Sequence, residues 1–302
     1  MTGTAESQPI SSDDLWQWRQ QAQRAAEAAG IPAAEIDWLL QEVAGLDRLT
    51  LRLGLRQDSV PLTCSLAHLD ALWQRRLQQQ VPVQYLAGSA PWRQFRLTVT
   101  PAVLIPRPET ELLIDLAVAA VRQTNLGLAH GHWADLGTGS GAIAIGLADV
   151  FPNATIHAID ASEAALAVAQ QNAQQVGFEQ RIRFYHGSWF EPLPPDLQGQ
   201  LSGMVSNPPY IPSALIADLQ PEVAQHEPHV ALNGGDTGLD CIRHLVTIAP
   251  AWLRSGGLWL IELMAGQANP VAELLDAEGC YHSIQIHADL AGIQRFALAY
   301  RK

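Results

Sequence analysis

From His132 onward, this 302-residue chain alternates short apolar runs with helical patterns, and this alternation restricts the fold more than any other feature of the sequence. Strands separated by helices favour a mostly parallel sheet with helices on both faces. The last two strands have no helix between them, so one of them is expected to run antiparallel. The predicted strands are Trp133–Leu136, Thr155–Ile159, Arg181–Tyr185, Leu201–Val205, Gly257–Glu262, Tyr281–His287 and Ile293–Tyr300. The predicted helices are Ala142–Val150, Glu163–Val176, Leu239–Leu253 and Asn269–Ala277.

The N-terminal part of the chain shows a purely helical pattern. Ser11 and Ser12 are candidate N-caps of a first helix, and apolar stripes at Ile36–Val43 and Leu66–Leu77 have helical spacing. Short amphipathic helices are stable only when they pack on one another, so we predict a small helical bundle.

The composition changes at Pro82, where Pro and Gly become frequent. We therefore predict two domains, a helical bundle over residues 1–82 and an α/β domain over 83–302. The alternating apolar residues Phe95, Leu97 and Val99 indicate a β-hairpin linker at about residues 91–100, at the start of the second domain.

Composition and charge exclude several classes of function. The chain carries 18 basic and 30 acidic residues, and residues 101–302 hold −11 of the net charge of −12. A surface that binds a phosphate backbone needs Lys and Arg, so broad nucleic-acid binding is not expected. Three widely spaced cysteines without a CxxC pair indicate neither a disulfide framework nor a zinc site. Without a signal peptide or a ~20-residue apolar stretch, we expect a cytoplasmic protein that does not bind membranes.

The sequence Asp135-Leu-Gly-Thr-Gly-Ser-Gly141 follows a predicted strand and opens a predicted helix. Glycines there let a ligand approach the backbone, and the helix N-terminus offers free N–H donors. Gly137, Gly139 and Ala142 also satisfy the dinucleotide fingerprint G-x-G-x-x-G/A. In either interpretation, Asp160 ends the second strand and is placed to accept hydrogen bonds from ribose hydroxyls.

A second motif, Asn207-Pro208-Pro209-Tyr210, lies at the end of the fourth predicted strand. Ligands bind at the carboxyl ends of the strands in open sheets of this kind. Two prolines remove N–H donors and leave carbonyls as acceptors, while the Asn adds a side-chain carbonyl and the Tyr a flat ring. This arrangement suits a planar NH2 group, with two acceptors for its hydrogens and a ring against it.

Together the two motifs resemble class I S-adenosylmethionine-dependent methyltransferases that act on a planar amino or amide nitrogen. Further motifs narrow the resemblance to the peptide-chain release factor glutamine-N5 methyltransferases. It extends from about residue 82 to the C-terminus, and the N-terminal bundle is similar only in being short and helical. The additional matching segments are Pro82–Gly88, Val103–Leu113, Gly187–Phe190 and Glu227–Gly235.

This resemblance implies a Rossmann-like methyltransferase sheet and the transfer of a methyl group from S-adenosyl-L-methionine. The acceptor would be the glutamine of the Gly-Gly-Gln motif of class 1 release factors, with an effect on translation termination. Residues for the cofactor would be Gly137, Thr138, Gly139, Ser140, Gly141, Asp160, Trp189 and Asn207. Residues for the substrate amide would be Asn207, Pro208, Pro209 and Tyr210, of which Asn207, Pro208 and Tyr210 are the catalytic set. We expect a monomer that needs no metal and that uses positioning, with no general base.

Three other functions are compatible with parts of the sequence. A related family methylates a glutamine of a ribosomal large-subunit protein, but its Pro-Arg segment typically continues Ser-Pro, whereas Arg107 is followed here by Pro108 and Glu109. Amino methylation of nucleic acid conflicts with the acidity of the C-terminal half. A nicotinamide-dependent oxidoreductase would leave the Asn-Pro-Pro-Tyr motif unexplained.

The role of a few polar residues is left open. Arg107, Glu109 and Glu111 are as well explained by a helix start as by a functional site. His226 and His229 lie three apart, but Pro228 between them argues against a metal site. Gly234, Gly235 and Asp236 are predicted to form a turn, and the bundle is expected to hold the body of the release factor.

Overall fold

The computed structural model of the protein describes residues 8–53 and 58–302 and divides them into two compact units. The first unit contains the described residues up to Ser89 together with Pro221–His226, and the second contains Ala90–Gln220 and Glu227–Lys302. The division in the structure thus lies beyond the predicted boundary at residue 82. Residues 1–7 and 54–57 of the predicted bundle lie outside the described residues.

The helices and strands follow one another along the described chain in an order that separates a helical first part from an alternating second part. In chain order they are β1 (Gln8–Ser11), α1 (Ser12–Ala28), α2 (Ala34–Glu42), α3 (Arg48–Leu53), β2 (Ser59–Leu62), α4 (Leu66–Gln79), α5 (Val83–Ala87), β3 (Ser89–Trp92), β4 (Phe95–Thr98), α6 (Leu112–Arg122), β5 (His130–Leu136), α7 (Ala142–Val150), β6 (Asn153–Asp160), α8 (Glu163–Gln175), β7 (Ile182–His186), β8 (Leu201–Ser206), α9 (Pro221–His226), α10 (Asp240–Trp252), β9 (Leu253–Glu262), α11 (Ala268–Glu278), β10 (Tyr281–Ala288) and β11 (Gln294–Arg301).

The first unit is a helical bundle, as predicted, and its core is formed by the apolar stripes of α1, α2 and α4. Leu15, Ile36 and Leu69 are fully buried in it. Ser65 caps α4 by accepting a hydrogen bond from the His68 N–H at 3.2 Å. The antiparallel pair β1–β2 was not predicted, because two four-residue strands that each contain a proline give almost no sequence signal.

A buried arginine explains why the distant helix α9 belongs to the first unit. The guanidinium of Arg76 forms two hydrogen bonds with Glu35, at 2.6 and 3.0 Å, and an ion pair with Glu222 of α9 at 2.8 Å. His226, at the end of α9, is hydrogen-bonded to the Gln79 carbonyl at 2.7 Å. Since a buried charge is strongly unfavourable unless it is paired, Arg76 requires these carboxylates.

The second unit contains a seven-stranded sheet in the order β10-β11-β9-β8-β5-β6-β7. Strands β5, β6, β7, β8 and β9 are parallel to their neighbours within this set, whereas β11 runs antiparallel to both β9 and β10. This confirms the predicted mostly parallel sheet with an antiparallel strand at its C-terminal end. The predicted linker is also observed, since β3 and β4 pair as a separate two-stranded sheet.

Helices cover both faces of the sheet and produce two apolar cores. Helices α6, α7 and α8 contribute to one core, together with Trp92 and Leu97 from the β3–β4 pair, and α10 and α11 contribute to the other. The chain enters the sheet at β5, in its middle, and β6 and β8 lie on opposite sides of β5. The carboxyl ends of β5 and β8 therefore form the crevice where open sheets bind ligands. None of the described helices has the length and apolar character needed to cross a membrane.

Candidate functional site

The loop after β5 has the backbone that its glycines predict. Gly137, Gly139 and Gly141 have φ angles of +79°, +55° and +82°. These are left-handed conformations that cost little only where there is no Cβ. The Gly137 N–H donates to the Ile159 carbonyl at 2.9 Å, which ties the loop to the end of β6. The loop is fixed at its ends, and a Cβ added to Gly139 at its centre would meet no atom within 4 Å.

A buried carboxyl group, Asp135, holds this loop to the helix that follows it. Its Oδ2 accepts hydrogen bonds from the Thr138 hydroxyl at 2.6 Å and from the Ala144 N–H at 3.0 Å. Burial raises the pKa of Asp135 to about 7, although both hydrogen bonds lower it. The aspartate that opens the glycine motif therefore has a structural role behind the loop.

Asp160 ends β6 on the cavity side of the loop. Its Oδ2 accepts a hydrogen bond from the Gly139 N–H at 2.8 Å, and its Oδ1 accepts one from the Ser162 N–H at 2.9 Å. Burial raises the pKa of this carboxyl group, and the two hydrogen bonds lower it. An ionised carboxylate has about four lone-pair sites, so Asp160 retains acceptors for a pair of hydroxyl groups.

Trp189 forms an aromatic wall beside the glycine loop. A Cβ added to Gly137 would lie 3.5 Å from the Trp189 ring, so the ring lies directly against the loop backbone. Trp189 itself has a φ of +49°, an uncommon conformation for a bulky residue. This arrangement places a flat apolar surface near Asp160, as a purine would require.

The Asn207–Tyr210 turn forms the neighbouring part of the site, at the carboxyl end of β8. Ser206, the last residue of β8, donates its hydroxyl proton to the Leu136 carbonyl at 2.6 Å and so joins the ends of β8 and β5. The Asn207 Nδ2 group donates to the Thr110 hydroxyl oxygen at 3.3 Å. This contact engages the NH2 end of the Asn207 side chain and leaves its carbonyl oxygen as the other end.

Tyr210 is held from behind the cavity. Its hydroxyl donates to Glu262 Oε1 at 3.1 Å, and its carbonyl accepts a hydrogen bond from Gln267 Nε2 at 2.9 Å. Burial raises the pKa of Tyr210, and the nearby charge of Glu262 raises it further. Tyr210 therefore remains a neutral hydrogen-bond donor.

The glycine loop, Asp160, Trp189 and Asn207 line a single cavity of about 560 Å³ in the second unit. The predicted residues at its wall are Gly137, Thr138, Gly139, Ser140, Asp160, Trp189, Asn207 and Pro209. Three predicted residues, Gly141, Pro208 and Tyr210, are not among the side chains and backbone that line it. Gly141 is the N-cap residue of helix α7, Pro208 is buried, and Tyr210 is partly buried.

Two further segments, which were not included among the predicted site residues, complete the wall. The first contains Arg107 and Thr110, and the second is Pro228–Ala231. Arg107 pairs with the buried Glu227 at 2.6 Å, which brings the two segments together. Both segments belong to motifs that are visible in the sequence. The first was not assigned to the site because a helix start explains its polar residues as well as a functional role does.

The structure separates the roles of the acidic residues in that first segment. Glu109–Glu111 is a short 3-10 helix before α6, as a helix start requires. Glu111 accepts a hydrogen bond from the Arg93 N–H at 2.8 Å, away from the cavity lining, whereas Arg107 lies at the wall. His226 belongs to the first unit, and no group of three or more potential metal ligands occurs within the described ranges.

The residues present fit an adenosyl cofactor. The cavity volume lies within the usual 300–1,000 Å³ of small-molecule sites. A glycine loop with open space beside Gly139, a carboxylate at the next strand end and an aromatic ring match an amino acid, a ribose and a purine respectively. The Asn207 carbonyl at the same wall adds an acceptor for a second ligand.

Two protein-family profiles match the chain. A profile described as a methyltransferase domain matches residues 129–207, which contain the glycine loop and end at Asn207. A profile described as the PrmC N-terminal domain matches residues 17–88, within the first unit.

Curated relatives match the chain over nearly its whole length. The release factor glutamine methyltransferase of Synechocystis sp. is 50% identical, with 96% of this chain and 97% of the relative covered. The protein of the same name from Gloeobacter violaceus is 47% identical, with 94% and 96% covered.

Solved structures show the fold at much lower identity. The hMettl16 catalytic domain in complex with the MAT2A 3'UTR hairpin 6 aligns with a TM-score of 0.54 and 16% identity. The alignment covers 78% of this chain and 80% of that one. At this identity the likeness concerns the fold alone.

Proposed function

Because this chain belongs to the family of release factor glutamine methyltransferases, we propose that it methylates the side-chain amide nitrogen of a glutamine in a release factor. The methyl donor in this proposal is S-adenosyl-L-methionine. The acceptor is the glutamine of the Gly-Gly-Gln motif of class 1 release factors, and the consequence is an effect on translation termination.

One observation carries the proposal: the glycine loop and Asn207 line the same cavity. A cofactor loop alone would equally suit a dinucleotide, as the fingerprint at Gly137 and Gly139 indicates. An amide acceptor group beside that loop has no role in hydride transfer, but it is needed to hold an NH2 group next to a methyl donor.

The cavity wall offers suitable residues for each part of the methyl donor. Gly137 to Ser140 would bind the methionine part, Asp160 the ribose hydroxyls, and Trp189 the adenine. Gly141 would act indirectly, because it sets the backbone from which the loop enters α7. When bound, the cofactor supplies a methyl group on a positively charged sulfur, which is an electrophile without further activation.

The protein's own task is to prepare a weak nucleophile. An amide lone pair is delocalised, so hydrogen bonds from its NH2 to the Asn207 and Pro208 carbonyl oxygens would shift electron density toward nitrogen and fix its direction. A near-attack geometry can contribute up to ~7–11 kcal/mol in well-oriented systems. The nitrogen loses one proton after the transfer, and water can accept it, so the proposal includes no general base.

The Asn-Pro-Pro-Tyr turn is suited to this task because it is rigid. Pro208 and Pro209 restrict the backbone, and Tyr210 is fixed at its hydroxyl and at its carbonyl. The low-dielectric surroundings strengthen dipolar contacts that would be weak in water. In this proposal, Tyr210 contributes its ring face to the glutamine side chain.

We also propose that the first unit holds the body of the release factor while the second unit receives the glutamine loop. The enzyme would act as a cytoplasmic monomer without a metal ion. Its net charge of −12 supports a protein substrate over a nucleic acid.

The test is transfer of a labelled methyl group from S-adenosylmethionine to purified class 1 release factors. A factor with the natural Gly-Gly-Gln should be labelled at that glutamine, and a factor in which this glutamine is replaced by alanine should not. Bound cofactor without labelling of an authentic factor would overturn the assignment.

Parallel reactions separate the alternatives. A ribosomal large-subunit protein and single-stranded nucleic acid serve as other acceptors, and titration with NAD(H) tests the dinucleotide interpretation. Preferential labelling of either acceptor, or binding of NAD(H) in place of S-adenosylmethionine, would contradict the proposal.

A further inference from the structure

Behind the Asn207–Tyr210 turn lies a fully buried carboxyl group that the reaction as described does not use. Glu262 is the last residue of β9, and its exposed fraction is 0%. Its Oε1 accepts the hydroxyl proton of Tyr210 at 3.1 Å. Its Oε2 is also buried and has no hydrogen bond of ordinary geometry within the described part of the chain.

The side chain in reach of this carboxyl group is Thr110. Its hydroxyl lowers the pKa of Glu262, as a nearby hydrogen-bond donor does. The same Thr110 oxygen accepts a hydrogen bond from Asn207 Nδ2 at 3.3 Å. Thr110 is buried, and it also lines the cavity.

We propose that Thr110 and Glu262 are positioning residues that fix the direction of the Asn207 side-chain amide. The proposed relay runs from Asn207 Nδ2–H to the Thr110 oxygen, and from the Thr110 O–H to the Glu262 carboxylate. This inference rests on the proposed function, because the direction of Asn207 matters only if its carbonyl oxygen must accept a hydrogen bond from a substrate NH2.

The direction follows from the donor and acceptor properties of the three side chains. An ionised carboxylate can only accept hydrogen bonds, so the Thr110 hydroxyl proton points to Glu262. The Thr110 oxygen is then an acceptor toward Asn207, and only the NH2 end of the amide can satisfy it. The Asn207 carbonyl oxygen is left for the cavity, where a substrate amide needs an acceptor.

The same carboxylate binds Tyr210, so one buried residue orders both ends of the turn. A glutamine at position 262 has nearly the same shape, but its NH2 group can donate to Thr110. Thr110 would then donate to the Asn207 carbonyl oxygen, and the amide would turn its NH2 toward the substrate. Two NH2 groups would face each other, and the acceptor would be lost.

The charges around Glu262 make this relay dependent on pH. Burial and, to a smaller extent, the charge of Glu109 raise the pKa of Glu262, whereas Thr110, Tyr210 and Arg295 lower it, and the net result is a pKa of about 7. Arg295, on β11, is paired with Asp289 at 2.7 Å. As the pH falls through about 7, the carboxyl group takes up a proton. One of its oxygens then becomes a donor, so the group can no longer accept a hydrogen bond from each of the two hydroxyls.

The experiment compares Thr110→Val and Glu262→Gln with the wild-type enzyme in methyl transfer to a whole release factor. Thr110→Ser, which keeps the hydroxyl, is the conservative rescue. The chain also offers a matched control pair away from the cavity, because Thr247 donates to Glu278 Oε2 at 3.3 Å. Thr247→Val and Glu278→Gln remove the same chemical groups there.

We expect kcat to fall about tenfold to a hundredfold in Thr110→Val and in Glu262→Gln, since misorientation of a positioned group has losses of that order. Cofactor affinity and the unfolding midpoint should remain near wild type, Thr110→Ser should restore kcat, and the control pair should keep it. The double variant Thr110→Val/Glu262→Gln should lose little more than either single variant, because both act on one orientation.

A second readout is the pH profile. The kcat of the wild type should decrease below about pH 7, and that decrease should be weaker in Glu262→Gln. Wild-type kcat in folded Thr110→Val and Glu262→Gln, or loss in Thr110→Ser equal to that in Thr110→Val, would overturn the relay. Absence of glutamine labelling by the wild type would instead overturn the proposed function.

Discussion

At the scale of single residues, the proposed methyl transfer depends on the side chain of Asn207. It lies at the cavity wall, and its NH2 group is engaged by Thr110, so its carbonyl oxygen is the part available to a ligand. A positioned hydrogen-bonding group of this kind contributes to the transition state far more than a solvated one, because it needs no reorganisation.

Replacing Asn207 by alanine should therefore reduce methyl transfer by about 10²-fold or more, in line with the loss of one positioned group in other active sites. Single-turnover transfer to a release factor measures the loss, and calorimetric titration with the cofactor measures binding. Asn153→Ala, at an exposed position at the start of β6, is the control. Near-normal turnover with intact cofactor binding would contradict the proposed mechanism.

The other buried acid of the site, Asp135, predicts a dependence of stability on pH. Its pKa is raised from 3.8 to about 7 in the folded protein. The native state therefore binds more protons than the unfolded state between these values. The contribution of Asp135 to the free energy of unfolding accordingly falls as the pH rises through this range.

Asp135→Asn should consequently gain stability relative to the wild type when urea unfolding is measured at about pH 8 and compared with about pH 5. Asparagine keeps a carbonyl acceptor for Thr138 and Ala144, but it carries no charge at either pH. The exposed Asp149→Asn serves as the control. An equal difference from the wild type at both pH values would show that Asp135 does not titrate as inferred.

At the scale of elements, a glycine turn packs against the Asn207–Tyr210 turn. The Gly234 N–H donates to the Ile211 carbonyl at 2.8 Å, and the Ile211 N–H donates to the Leu232 carbonyl at 3.0 Å. A Cβ on Gly234 would lie 2.8 Å from the Pro209 carbonyl oxygen and from the Tyr210 Cα. The predicted turn at Gly234 is therefore the surface on which the Asn-Pro-Pro-Tyr backbone rests.

Gly234→Ala should displace that backbone and reduce kcat by about 10- to 10²-fold, because small displacements of reacting groups have effects of that size. Cofactor binding should change little, because the glycine loop follows a different strand, β5. Gly177→Ala, which puts a Cβ on left-handed backbone (φ +79°) with no atom within 4 Å, controls for a loss of stability away from the turn. Unchanged kcat in folded Gly234→Ala would mean that the turn tolerates the shift.

The elements themselves differ in how well they could be predicted. The strands of the large sheet were predicted because continuous apolar runs alternate with helices of clear periodicity. The β1–β2 pair and the short helices α3 and α5 were not, because six or fewer residues carry too little periodicity. The six-residue helix α9 was not predicted for the same reason. Its place in the first unit depends on the pairing of Arg76 with Glu222.

At the scale of the whole molecule, the first unit presents an exposed apolar pair. Leu49 and Leu53, one helical turn apart on α3, are 63% and 64% exposed. The cavity is lined only by residues of the second unit, so nothing in the first unit is needed to form it. If the first unit holds the release factor, its surface should affect whole-factor recognition selectively.

Leu49→Glu combined with Leu53→Glu should therefore raise KM for a whole release factor several-fold, while transfer to a short Gly-Gly-Gln peptide stays unchanged. Exposed positions tolerate such changes, with effects on stability usually within about 0.5 kcal/mol. Leu290→Glu, at a position 94% exposed in the second unit, is the control. An equal effect on factor and peptide, or none on either, would place recognition elsewhere.

A deletion is a weaker test of the same idea. Removing residues 1–82 should reduce methylation of whole factor much more than cofactor binding. It also removes Arg76 and Gln79, the partners of Glu222 and His226. The deletion therefore leaves α9 without these partners as well as removing the proposed binding surface, which makes the double leucine variant the sharper test.

The large sheet, the glycine loop and the Asn-Pro-Pro-Tyr turn could all be predicted from the sequence. Each of these depends on local chemistry: apolar runs form strands, glycines allow left-handed backbone, and consecutive prolines fix a turn. Tertiary packing is what brings Arg107 to the cavity wall while Glu111 stays away from it. The same packing places Thr110 beside Asn207 and Glu262 beside Tyr210. Thr110 and Glu262 are far apart in the chain, and nothing local marks either as a partner of the turn. Their relation arises only when β9 packs beside β8 and buries a carboxylate that must find donors there.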